Sequence, residues 1–83
     1  MRTTQVNSLT LNEIKTIVKQ NLNNIVTIKQ INKQGKILKI FKGKIIDVYD
    51  NLFLVKVENN GYCLNKTFTY TDFITGEYLI ITN

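Results

Sequence analysis

Between positions 29 and 44 the chain carries Lys29, Lys33, Lys36, Lys39, Lys42 and Lys44. A group of ammonium ions this dense attracts phosphate or carboxylate, so it would suit a nucleic-acid backbone or an acidic protein surface. The only carboxylate near it in sequence is Asp47. Tyr49 and Tyr62 stand beside turns, where an aromatic ring can stack on an unpaired base or simply pack. Phe53, Phe68 and Phe73 are expected in a core instead, as aromatic rings are in any small β domain. The bland reading of the lysines is a solvated hairpin. The chain has one arginine, Arg2, against ten lysines, lacks Ala, His, Pro and Trp, and is rich in Asn and Ile. That is the codon bias of an AT-rich genome, and it lowers the meaning of any single lysine.

Catalytic chemistry finds little to work with. Without histidine the commonest general base is missing, and the one serine, Ser8, falls in a polar lead-in. Glu13, Asp47, Asp50, Glu58, Asp72 and Glu77 are scattered, mostly at turns and caps, with neither an acid/base pairing nor metal-ligand spacing. Cys63 is single, which excludes an internal disulfide and a cysteine metal cluster; its place in an apolar strand pattern points to packing. The expectation is a non-catalytic chain with no cofactor and no metal. A net charge of +5 permits an acidic partner without requiring one.

The elements that must position these residues follow from periodicity. Eighty-three residues suffice for one small domain, taken as 9–83 after a loose lead-in over 1–8. No apolar run is long enough for a bilayer, and the first residues lack the apolar stretch of a signal peptide, so a cytosolic protein with no membrane contact is expected. Thr10-Leu11-Asn12-Glu13 fits a capping box, with Leu9 and Ile14 at the flanking staple positions. Leu11, Ile14, Ile17, Val18 and Leu22 then recur at helical spacing, a stripe to be covered by the sheet or by a second copy of the chain. Asn23-Asn24 marks the stop.

From Ile25 the period becomes two. Strands are expected over 25–31, 36–48, 52–57, 62–70 and 78–81, with turns at Asn32–Gly35, Asp50-Asn51 and Asn59–Gly61. Gly43 interrupts the long second strand and reads as a bulge or bend. In Thr67–Thr75, Phe68 and Tyr70 share one face of a strand and Thr67 and Thr69 the other. Thr71–Ile74 then reads as one short 3₁₀ turn, with the Asp72 carboxylate accepting backbone N–H groups to start it. The fold class is mainly β with one N-terminal α-helix: a small five-stranded antiparallel barrel of SH3-like or Sm-like type, closed to remove exposed edges.

The Thr67–Thr75 segment, Thr-Phe-Thr-Tyr-Thr-Asp-Phe-Ile-Thr, resembles the Ser-Tyr-Ser-Tyr-x-Asp-Ile/Val-Leu-Thr run of the Veg family of small bacterial proteins from low-GC Gram-positive organisms. The likeness covers most of the chain. Ile14-Lys15 and the rest of the helix are similar to the family's N-terminal Ile-Lys segment, Val26–Lys29 to its Leu-Thr-Leu-Lys strand, and Gly43–Asp47 with Tyr49 and Phe53–Val55 to its Gly-Ile-Leu-x-Glu-x-Tyr-Pro-x-x-Phe-Val-Val run. Two places depart. The family's Gly-Arg-Arg-Lys-like turn is represented only by Asn32–Lys36, which puts a carried-over basic binding loop in doubt, and Asp50 replaces the proline after the tyrosine. The resemblance implies a helix-plus-barrel protein without enzymatic activity that stimulates biofilm formation, acting on matrix-gene expression through a regulatory protein. Nucleic-acid binding through the lysine-rich hairpin stays open as the alternative.

Overall fold

The structure is a computed structural model that describes residues 10–59 and 61–82. The lead-in, the Leu9 staple position, Ser8, Arg2 and Asn60 lie outside the described residues. Helix α1 covers Leu11–Gln20 and is followed by β1 (Ile25–Ile31), β2 (Ile37–Val48), β3 (Leu52–Asn59), β4 (Tyr62–Thr69), a one-turn helix α2 (Tyr70–Ile74) and β5 (Tyr78–Thr82). All pairings are antiparallel, in the order β4-β3-β2-β1-β5.

The helix start forms as its residue types dictate. The Thr10 N–H donates to Glu13 Oε1 at 2.9 Å and the Glu13 N–H donates to Thr10 Oγ1 at 3.2 Å, so two end donors are satisfied reciprocally. At the far end the Asn21 side chain donates to the Ile17 carbonyl, and Asn23 takes a left-handed conformation (φ 69°). The exit is then stitched to β2: the Asn23 N–H donates to the Ile45 carbonyl at 2.7 Å and the Ile45 N–H to that of Asn24 at 3.1 Å. The expected five-residue stripe is narrower in fact. Ile14 and Val18 are fully buried, Ile17 is half-buried, and Leu11 and Leu22 are exposed. A ten-residue helix laid on a small sheet covers it with only its central turns.

The core is Ile14, Val18, Val26, Ile28, Ile45, Phe53, Val55, Phe68, Tyr70 and Phe73. Phe53 sits at its centre, with ring centroids 5.8 Å from Phe68, 5.8 Å from Tyr70 and 5.6 Å from Phe73. The packing role expected of the three phenylalanines is what the structure has. Tyr70, however, is the first residue of α2 and not a strand residue, and α2 is an α-helical turn in place of a 3₁₀ turn. Thr69 occupies its N-cap, and among the described residues no backbone N–H donates to the Asp72 carboxylate. The turn is held by packing of Tyr70 and Phe73 in place of an Asp72 cap.

Two features of the sheet differ from expectation. Gly43 does not break register: it lies opposite Val26 on one side and Val57 on the other. The irregularities fall on either side of it, at Leu38 against β1 and between Ile45 and Asp47 against β3. Gly43 is required by close approach, because a Cβ there would collide with the Lys56 carbonyl oxygen and lie 2.8 Å from Val55 Cγ1. The second feature is that the sheet is not closed. Among the described residues no ladder joins β4 to β5. The sheet curls until rings meet instead: Phe68 of β4 is 5.5 Å from Tyr78 of β5 and 5.6 Å from Phe41 of β2, and the Lys66 ammonium lies 4.8 Å from the Phe41 ring centroid.

Candidate functional site

β2 has twelve residues because it serves two partners in turn. Ile37–Lys44 pair with β1, and Gly43–Val48 pair with β3. Its first half, with β1 and the connecting turn, therefore extends past the core as a two-stranded arm. The tip is firmly built. Asn32 Oδ1 accepts from the N–H groups of Gln34 and Lys36, both at 2.9 Å, while the Asn32 N–H donates to the Lys36 carbonyl and Gly35 adopts φ 81°. A single asparagine side chain thus closes the loop that carries Lys33 and Lys36, as Asn does in turns generally.

The arm exposes large apolar side chains: Ile37 is 49 %, Leu38 54 % and Ile40 58 % exposed. The ladder to β1 is irregular at Leu38: Lys39 stands opposite Gln30 and Ile37 opposite the next residue, Ile31, which leaves Leu38 without a ladder partner. From Lys39 onward alternation places Ile40, Lys42 and Lys44 on one face and Lys39 and Phe41 on the other. Phe41 turns into the core; Ile37 and Lys39 run past it. Across the ladder Lys29 stands opposite Ile40, Thr27 opposite Lys42 and Ile25, itself exposed, opposite Lys44. The outer face of the sheet is therefore a mixture of aliphatic and ammonium groups. From Ile14 to Ile46 the chain holds Lys15, Lys19, Lys29, Lys33, Lys36, Lys39, Lys42 and Lys44 and no carboxylate at all.

The structure thus places Lys33, Lys36 and Lys39 along the arm and its tip, and Lys29, Lys42 and Lys44 on the outer face. It adds Lys56, which sequence reasoning missed: Lys56 is the cross-strand partner of Lys44. The register of β3 against β2 was the missing signal. Like charges directly opposite weaken a sheet, and these two line a shallow groove with Ile25, Lys42, Gly43, Glu58 and Cys63. Cys63 is exposed, because the alternation that buries Phe68 puts it on the outer face; the packing role expected for it does not hold.

Tyr49 follows the end of β2, at the opposite end of that strand from the arm. The Tyr49 hydroxyl donates to Asp47 Oδ2 at 2.8 Å, and that bond, with the nearby negative charge, raises its pKa above the ordinary phenol value. Tyr62 is exposed at the start of β4. Among the described residues no group of three or more His, Cys, Asp or Glu is placed to hold a metal ion, and no helix is long and apolar enough to cross a membrane.

The model of the family described as biofilm formation stimulator VEG matches residues 9–80 of the 83. The chain belongs to that family. No curated protein matches it.

Proposed function

We propose that this member of the biofilm-stimulator family is a non-catalytic, cytoplasmic interaction module that alters expression of matrix genes by binding a regulatory protein. The observation that carries the reading is the arm: Ile37, Leu38 and Ile40 stand about half in solvent on a hairpin whose tip is closed by Asn32 hydrogen bonds, set among lysines. Aliphatic groups grouped at such exposure, rimmed by charge, are a mark of protein interfaces. A bare phosphate-binding surface has no use for them.

A second reading, a nucleic-acid-binding domain, draws on Lys42, Lys44 and Lys56 sharing the outer face. The two differ in salt response. Phosphate contacts weaken steeply as salt rises, because binding releases counterions; a contact with an apolar centre does not. The test is capture of partners on the tagged chain from its native cytosol, with and without nuclease, at low and moderate salt. The proposal expects a regulatory protein that is retained after nuclease and at moderate salt. Capture that vanishes with nuclease, together with tight salt-sensitive binding of purified DNA or RNA, would establish the second reading in its place.

A further inference from the structure

We propose that the open edge of β2 over Ile37–Lys42 accepts an extended acidic segment of a partner protein as an added β-strand. The inference rests on the interaction reading above and specifies its chemistry.

The edge is a fact of the topology. Ile37–Lys42 pair with β1 on one side, and the β3 ladder begins only at Gly43. A strand with one neighbour turns the N–H and C=O of every second residue outward, here about three residues' worth of donors and acceptors. Among the exposed large apolar side chains of the sheet, Ile40 on this edge has the highest exposure, at 58 %. A strand laid beside it would put alternate side chains on the two faces of the arm. They would meet the aliphatic groups of Leu38 and Ile40 and the ammonium of Lys39, with Lys36 and Lys42 at the ends. The matching segment alternates aliphatic with carboxylate residues.

Charge also decides who is refused. A second copy pairing antiparallel through the same edge, centred on Lys39, would set Lys39 against its equivalent and Lys36 against Lys42, and like charges directly opposite destabilise a ladder. The lysines therefore guard the edge against self-association while leaving it open to an acidic strand. The other two edges lack this combination. β5 keeps its side chains half-buried. β4 exposes Tyr62 and Leu64, but its strand partner β3 brings Glu58 opposite Cys63, and its one ammonium, that of Lys66, lies over the Phe41 ring.

The test is an NMR titration of the ¹⁵N-labelled full chain with a short capped peptide in which Glu alternates with Val and Thr. The controls are the same peptide with Lys for Glu and the same peptide N-methylated at alternate residues. Shifts and new amide protection confined to the β2 edge, weakened by about tenfold or more with either control, are expected. Absence of binding at about 1 mM peptide, shifts centred on β4 or β5, or undiminished binding of the N-methylated peptide would overturn strand addition. The triple variant Ile37→Thr, Leu38→Thr, Ile40→Thr separates this from the broader reading. A regulatory protein captured equally by wild type and variant overturns the edge as the site and leaves the interaction module standing. Edge binding of the Glu peptide with no protein captured from cytosol supports the strand chemistry and overturns the module.

Discussion

The Tyr70 hydroxyl donates to the Tyr49 carbonyl at 2.7 Å, joining the first residue of α2 to the β2–β3 turn twenty-one positions earlier in the chain. The ring of Tyr70 is 1 % exposed and stacks on Phe53 at 5.8 Å, so the residue serves the core with its body and the turn with its tip. The Tyr49 N–H in turn donates to the Leu52 carbonyl at 2.8 Å, and the Tyr70 N–H to that of Asn51 at 3.2 Å. Tyr70→Phe keeps the packing and removes one bond. A loss of about 1 kcal/mol in urea unfolding is expected, the usual worth of such a bond. An unchanged midpoint would mean that water replaces the hydroxyl without cost.

Gly43 admits no side chain where the β3 backbone crosses close to it. Gly43→Ala should cost about 1–3 kcal/mol, typical of overpacking, since the colliding atom is backbone and cannot rotate away. Gly35→Ala is the contrasting variant. Nothing lies within 4 Å of a Cβ there, but φ is 81°, so any loss comes from backbone conformation alone. Equal m-values and a larger midpoint shift at Gly43 would separate collision from conformation.

The helix divides into residues that hold the domain and residues that do not. Ile14→Ala should cost about 2–5 kcal/mol, because Ile14 is wholly buried. Leu11→Ala and Leu22→Ala, at 46 % and 43 % exposure, should stay within about 0.5 kcal/mol of wild type by thermal unfolding. A large loss at Leu11 or Leu22 would show that the stripe is covered in solution by something beyond this chain's own sheet.

The tyrosines set an alkaline limit. Tyr49 has a raised pKa because of its bond to Asp47, Tyr70 chiefly through burial and then the charge of Asp50, and Tyr78 through burial and then Asp72 and Glu77. A raised phenol pKa means that the fold favours the neutral hydroxyl. The stabilisation is complete below the unfolded value of about 10 and is lost as pH rises through the folded values. At the acid end Glu13 behaves oppositely: its bonds to Thr10 lower its pKa, so the cap holds above the unfolded value of about 4.3 and fails as pH falls through the folded one. Unfolding midpoints measured across the range should be level in the middle and fall above about pH 10. Tyr70→Phe should flatten part of the alkaline fall.

Much of this was legible locally. The capping box, the Asn32–Gly35 turn and the alternation that buries Phe53 and Phe68 depend on residues close in sequence, and each formed as its spacing required. What sequence reasoning missed depends on distant partners. A glycine in a strand reads alike whether it bends the chain or admits a neighbour, and only the position of the β3 backbone decides. Tyr70 continues the alternation of β4, yet α2 begins there because its hydroxyl reaches Tyr49 and its ring reaches Phe53. Cys63 looked apolar by its neighbours but falls in the outward phase once Phe68 is fixed inward. The arm escaped notice for the same reason: its lysines were plain in the sequence, but the exposure of Ile37, Leu38 and Ile40 follows from where the β3 ladder leaves β2.

The central claim is that this arm is the working surface of the protein, and the direct measurement is restoration of biofilm in a strain lacking the gene for this chain. The variant Ile37→Thr, Leu38→Thr, Ile40→Thr keeps β-branched residues on a solvent-exposed strand, so it should accumulate and unfold like wild type, with each exposed substitution contributing within about 0.5 kcal/mol. The account predicts a folded protein at normal level that fails to restore biofilm or matrix-gene expression. Full restoration by that folded variant would contradict it.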